Sequence, residues 1–159
     1  MGADLSVRND RYKHIWKFLS FEEMNEILKD LPKGYVIDVD VDLSDIGLTQ
    51  LSDFSKIKVG GDFDCYSNQL ISLEGAPSEV GRDFDCSFIR LIDLKGAPSE
   101  VGGDFYCLVN NLISLEGKPL KIGGKFYIEK EKLVMIEMAD KIKKLGALGK
   151  KMFLGNKEM

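Results

Sequence analysis

VGGDFDCYSNQLISLEGAPSE at 59–79, VGRDFDCSFIRLIDLKGAPSE at 80–100 and VGGDFYCLVNNLISLEGKPLK at 101–121 are three copies of one 21-residue unit laid end to end. A fourth copy begins at Ile122 as IGGKFYIEKEKL and then drifts. Self-similarity at a period of about 20–30 residues marks a solenoid, whose units bury their apolar sides only by stacking on one another.

The apolar columns of the stack are Val59/Val80/Val101/Ile122, Phe63/Phe84/Phe105/Phe126, Cys65/Cys86/Cys107/Ile128, Leu70/Leu91/Leu112/Leu133 and Leu73/Leu94/Leu115/Ile136. The alternation Phe-x-Cys predicts a short strand with both side chains inward. The spacing Phe-x-Cys-x-x-Asn-x-Leu-x-x-Leu matches the leucine-rich-repeat pattern, with Phe and Cys in two of its Leu positions. Asn68 and Asn110 stand at that pattern's Asn, whose amide satisfies backbone groups where the chain leaves the strand; Ile89 replaces it in the middle copy. Gly75, Gly96 and Gly117, each two residues before a proline, predict return turns on the convex side. The pairs Gly60–Gly61, Gly102–Gly103 and Gly123–Gly124 predict tight bends into the next strand.

Over residues 36–136 the units resemble the short leucine-rich repeats, SLEG-x-P-x-x-VGGDF-x-C-x-x-N-x-L, of tailed-bacteriophage and prophage proteins. They are also similar in spacing to the repeat domains of secreted bacterial effectors. The chain lacks the effectors' Leu-Pro turns and any attached catalytic domain, so their ubiquitin-ligase activity does not carry over. The phage resemblance implies a cytoplasmic interaction protein, acting in the host cell's cytoplasm if phage-encoded, and names no catalytic residue.

A length of 159 residues suits one domain, and 44% hydrophobic residues suffice for an ordinary core. No run of about 18 apolar residues is present, so no membrane span is expected. The start, MGADLSVRND, has no apolar core of signal-peptide type. The three cysteines recur at one repeat position and read as buried thiols filling the core. A metal site needs paired spacings with His or acidic co-ligands, and the only histidine is His14. No metal and no cofactor are expected, and an odd cysteine count without a secretion signal suits a reducing compartment.

The expected organisation is therefore an α/β repeat: a leucine-rich-repeat solenoid of about five short turns over 36–136. A helical N-terminal cap spans 6–35 and a C-terminal helical cap with a tail spans 137–159. In the N-terminal segment Tyr12, Ile15, Trp16 and Leu19 follow helical spacing. Ser20 and Glu23 then form a capping-box signature ahead of Phe21, Met24, Ile27, Leu28 and Leu31, with Pro32 and Gly34 ending that helix. Residues 35–58 hold a degenerate first turn, in which Val41, Leu43, Leu48 and Leu51 enter the core columns if the repeat is lengthened by one residue. Ile46 then takes the Asn position. Met135, Met138, Ala139, Ile142 and Leu145 suit a helix packed on the last repeat.

Charge is uneven. Residues 36–121 hold 7 Lys+Arg against 15 Asp+Glu, a balance of −8, while 122–159 hold 9 against 5, a balance of +4. With Phe and Cys inward, three columns are expected outward on the concave face: Asp40/Asp62/Asp83/Asp104/Lys125, then Asp42/Asp64/Asp85/Tyr106/Tyr127, then Ser44/Tyr66/Ser87/Leu108/Glu129. The first column has two readings, backbone bonding by Asp in the repeat's own turn or recognition. The second has no such local duty. Asp42, Asp64 and Asp85, with Tyr66, Tyr106 and Tyr127, are the candidate site for a basic protein segment. Phe88, with Leu108 and Val109, forms either a second exposed patch or, with Ile89, an inward replacement for the missing Asn.

A ladder of carboxylates in like environments does not make the unlike pair that acid–base catalysis requires, so no enzyme activity is expected. The expected function is a protein–protein interaction module, a phage-encoded modulator or inhibitor of a host protein. Its alternatives are a nucleic-acid-associated factor using the basic C-terminal segment (Lys141, Lys143, Lys144, Lys150, Lys151) and a structural or virion-associated part that self-assembles.

Overall fold

In the computed structural model, which describes residues 14–157, the chain is a parallel β-solenoid followed by a C-terminal helix. Each turn contributes two strands of two residues. One ladder comprises β1 (Val36–Ile37), β3 (Lys58–Val59), β5 (Glu79–Val80), β7 (Glu100–Val101) and β9 (Lys121–Ile122). The other comprises β2 (Val41–Asp42), β4 (Phe63–Asp64), β6 (Phe84–Asp85), β8 (Phe105–Tyr106) and β10 (Phe126–Tyr127). The second ladder is the strand expected at Phe-x-Cys. The first corrects the expectation that the chain returns through turns alone, because the Val column itself pairs from turn to turn, Val59 with Val80 and Val80 with Val101.

The core is a stack of like on like. Phe63, Phe84 and Phe105 are fully buried, and their rings lie 5.6 and 5.3 Å apart with planes within 12° of parallel. Phe126 continues the stack at 5.6 Å. At the other end Phe54 turns its edge to Phe63 at 5.3 Å, and the buried Trp16 ring follows at 5.4 Å. Such aromatic contacts add roughly 0.5–1.5 kcal/mol each beyond area burial. The cysteines are buried and form no disulfide, as the packing reading requires. Each thiol donates toward the next turn: Cys65 Sγ to Asp85 O at 3.4 Å, Cys86 Sγ to Tyr106 O at 3.2 Å. Burial drives the Cys65 and Cys86 pKa values well up, so both remain thiols.

Asn68 and Asn110 tie turns together where the backbone leaves the strand. The Asn68 amide donates to Leu43 O, Cys65 O and Tyr66 O, and its oxygen accepts from Ile46 N and Leu48 N. Asn110 repeats this with Cys86 O, Cys107 O, Leu108 O and Leu91 N. Each Asn thus serves the turn before it as well as its own. The turns that lack it, at Ile46 and Ile89, are the two that precede Asn68 and Asn110. Ile89 can therefore be apolar and buried.

The register pairs Val41 with Phe63 and Asp42 with Asp64, so the first turn is one residue longer than the others, as expected. Upstream, Ile15–Phe18 is a 3-10 turn rather than an α-helix, and Tyr12, with residues 6–13, lies outside the described residues. Helix α1 (Phe21–Lys29) starts on the expected capping box: Ser20 Oγ accepts from Glu23 N at 3.1 Å and Glu23 Oε2 from Ser20 N at 2.7 Å.

The chain divides into two compact units, one ending at Ile128 and the other beginning at Glu129. The second is helix α2 (Lys130–Lys157), which begins earlier than the C-terminal helix expected from residue 137. Met135, Met138, Ile142 and Leu145, expected to be packed, are exposed on it.

Candidate protein-interaction surface

Asp40, Asp62, Asp83 and Asp104 sit in the corner between the two strands of each turn. Asp40 Oδ1 accepts from Asp62 N, Asp62 Oδ1 from Asp83 N, Asp83 Oδ1 from Asp104 N, and Asp104 Oδ1 from Lys125 N, at 2.7–2.9 Å. The column is thus a bonding device of the repeat, with the accepted N–H belonging to the next turn rather than the Asp's own. It also explains the corner glycines. A Cβ at Gly61, Gly103 or Gly124 would strike the Asp carboxylate of the preceding turn. The middle copy carries Arg82 there, whose Nε lies 3.8 Å from Asp62 Oδ1.

The second column is in register on the strands, Asp42–Asp64–Asp85–Tyr106–Tyr127. Asp42 is not on open surface: it is 9% exposed and held by the N-terminal segment. Its Oδ2 lies 2.7 Å from His14 Nδ1 and 3.4 Å from Lys17 Nζ, and its Oδ1 accepts from Ser44 N and Ser44 Oγ. Burial alone would raise the Asp42 pKa; the Ser44 bonds and Lys17 outweigh it and hold the pKa below the usual range. Asp85 accepts from Ser87 N at 2.9 Å. Asp64 lies between these two carboxylates, and partial burial with their repulsion pushes its pKa up to about 7. Tyr106 and Tyr127 stack at 4.6 Å with parallel planes, and the Tyr106 hydroxyl donates to Asp104 Oδ2. Desolvation and that carboxylate push its pKa up to about 12.

Asp64 carries a pH-dependent destabilisation. Its folded pKa exceeds the ordinary 3.8, so the folded state holds the proton more tightly and stability falls as pH rises from about 4 to 7. Discounted for its partial exposure, the cost is about 1–2 kcal/mol above pH 7. Asp64→Asn is expected to raise the melting temperature by roughly 2–8 °C at pH 8 and to leave it nearly unchanged at pH 4. Thermal denaturation at the two pH values checks both the sign and the window.

In the third column Ser44 and Ser87 are buried rather than outward. Ser87 Oγ accepts from Leu108 N, while Tyr66 is exposed and Leu108 half-buried. The next residue in each turn, Asp45, Ser67, Phe88 and Val109, has φ of 54–56°, a left-handed conformation rare for a bulky or β-branched side chain. This corner throws Phe88 and Val109 outward while Ile89 turns in, so the exposed-patch alternative holds for Phe88 and the inward one for Ile89.

Beyond the corner the chain alternates: Leu70, Leu91 and Leu112 point in, and Ile71, Ile92 and Ile113 point out. These three isoleucines, with Phe88 and Val109, are 52–70% exposed. The turns bearing them are adjacent, with Ile113 N donating to Ile92 O at 3.0 Å. Sequence reasoning misses this column, although an apolar residue recurring between two inward leucines is its available signal. Among the described residues no group of His, Cys, Asp or Glu is arranged to hold a metal ion, and no helix is long and apolar enough to cross a membrane. The chain matches no protein-family model, no curated protein and no solved structure.

Proposed function

We propose that this protein is a non-enzymatic protein-interaction module of the leucine-rich-repeat type, a phage-encoded modulator or inhibitor of a host cytoplasmic protein. The observation that carries the interaction reading is the run of exposed apolar side chains, Ile71, Ile92, Ile113, Phe88 and Val109, on consecutive turns. Contiguous apolar surface of this kind marks a contact site, since water penalises it and the stack itself does not require it. Asp64, Asp85, Tyr66, Tyr106, Leu108 and Tyr127 lie on or next to the strand that precedes the corner in each turn and are proposed as its polar and aromatic border. Asp42 supports the N-terminal segment instead. The Asn68 and Asn110 bonding supports the leucine-rich-repeat assignment, and the phage origin rests on the repeat motif alone.

The test is affinity capture from bacterial lysate at low and moderate salt, comparing the wild type with an Ile71→Ser/Ile92→Ser/Ile113→Ser variant. A stoichiometric protein retained by the wild type and lost by the variant, at matched melting temperature, is the expected result. Capture of nucleic acid alone would assign the function to exposed lysines of α2, such as Lys141, Lys143 and Lys144, and overturn the reading.

A further inference from the structure

We propose that the exposed strip takes a basic amphipathic helix of the partner, laid along the stacking direction. This rests on the interaction reading above and names the chemistry of the occupant. Successive solenoid turns are about 4.8 Å apart, and successive turns of an α-helix about 5.4 Å. Across Ile71, Ile92 and Ile113 the two repeats drift by only about 1.2 Å, so residues i, i+4 and i+7 of one helix face meet one isoleucine each.

The width fits as well. Phe88 and Ile92 are four residues apart on an alternating chain, at most about 13 Å, and a helix with its side chains is about 10–12 Å across. The columns Phe88/Val109 and Ile71/Ile92/Ile113 thus form the two apolar edges of one exposed strip, with Gln69, Arg90 and Asn111 exposed between them.

Charge selects the partner. Asp85 lies just before Phe88 in its turn, and Glu74, Asp93 and Glu116 just after the isoleucine column. Ile71 and Glu74 line the same depression. Against these four carboxylates stand Arg90 and Lys95, and Lys95 is already shared between Asp93 at 3.7 Å and Glu116 at 3.5 Å. A helix with an apolar spine and lysine or arginine on both flanks matches an exposed apolar strip with acidic edges. An acidic helix meets repulsion on both sides. Three turns bury a small area, so the complex is transient, with a dissociation constant of about micromolar order.

The test uses a synthetic leucine–lysine peptide designed as an amphipathic helix, and its leucine–glutamate counterpart, titrated against the full chain by fluorescence anisotropy. The lysine peptide is expected to bind at least about tenfold tighter than the glutamate peptide, the gap narrowing as salt rises. Ile71→Ser/Ile92→Ser/Ile113→Ser is expected to weaken it at least about tenfold. Glu74→Gln/Glu116→Gln, at exposed positions, is expected to flatten the salt dependence without changing the melting temperature. Equal binding of the two peptides, or full binding by the triple isoleucine variant, overturns the proposal. If the peptides fail while a captured lysate protein is still lost with that variant, the occupant is wrong and the interaction reading stands. If the captured protein is also indifferent to the variant, both fall.

Discussion

Asn68→Ala is expected to lower the melting temperature by roughly 6–16 °C, the larger of two effects expected from single side chains of the solenoid. The amide makes five bonds to backbone groups on two turns, and it is almost fully buried. Alanine removes all five. Leu43 O and Cys65 O are bonded in buried surroundings, where an unsatisfied group costs about 1–3 kcal/mol. Ile46 N, Leu48 N and Tyr66 O are bonded in partly buried surroundings and recover some hydration. The sum is about 3–4 kcal/mol, and at this chain length each kcal/mol shifts melting by roughly 2–4 °C. Urea denaturation of Asn68→Ala beside the exposed control Gln69→Ala separates the bonding role from general sensitivity of the turn. A drop below about 1 kcal/mol would show that the amide is dispensable to the stack.

Gly96→Ala is expected to cost about 3 kcal/mol, or a melting decrease of roughly 6–12 °C, for two reasons that compound. The residue has φ of 88°, where a Cβ is strained by about 1–2 kcal/mol. A Cβ there would also lie 2.7 Å from Glu74 N and 2.8 Å from Leu73 O, backbone atoms of the preceding turn that can move only by opening the stack. Gly47 isolates the first cause, since its φ is 70° and a Cβ added at that site would meet nothing within 4 Å. Gly47→Ala should therefore cost only about 1 kcal/mol. Equal costs at the two positions would mean that turn-to-turn contact at Gly96 contributes nothing.

The stack was legible because inward residues repeat with their own kind. Phe, Cys and Leu recur at a fixed offset, and the lengthened first turn could be aligned by Val41, Leu43, Leu48 and Leu51. The first strand ladder was not legible. Its strands are two residues long, with one inward side chain each between a Pro-containing turn and a glycine corner, and two residues carry no alternation to read. Asp42 misled for a different reason. Its column position says outward, but His14 and Lys17, from a segment that follows no repeat, close over it. The isoleucine column was visible in letters but not in direction. The repeat spacing put Leu70 and Leu91 inward, but only the fold shows that Ile71 and Ile92 beside them stand in water and line up from turn to turn.

The in-register ladders also constrain how such a gene can change length. The strand pairings, the aromatic stack and the Asp corner join a residue to its equivalent one unit away, and each thiol reaches a fixed position beside its equivalent. Duplicating or deleting one whole repeat leaves all of these joins intact. An insertion of any other size must be absorbed within its own turn, as the extra residue of the first turn is, or the downstream columns fall out of line. The outward positions obey no such rule, since Ser67, Phe88 and Val109 share one backbone conformation with three unrelated side chains. Recombination between copies can therefore lengthen the surface in whole units while point substitution rewrites what each unit displays.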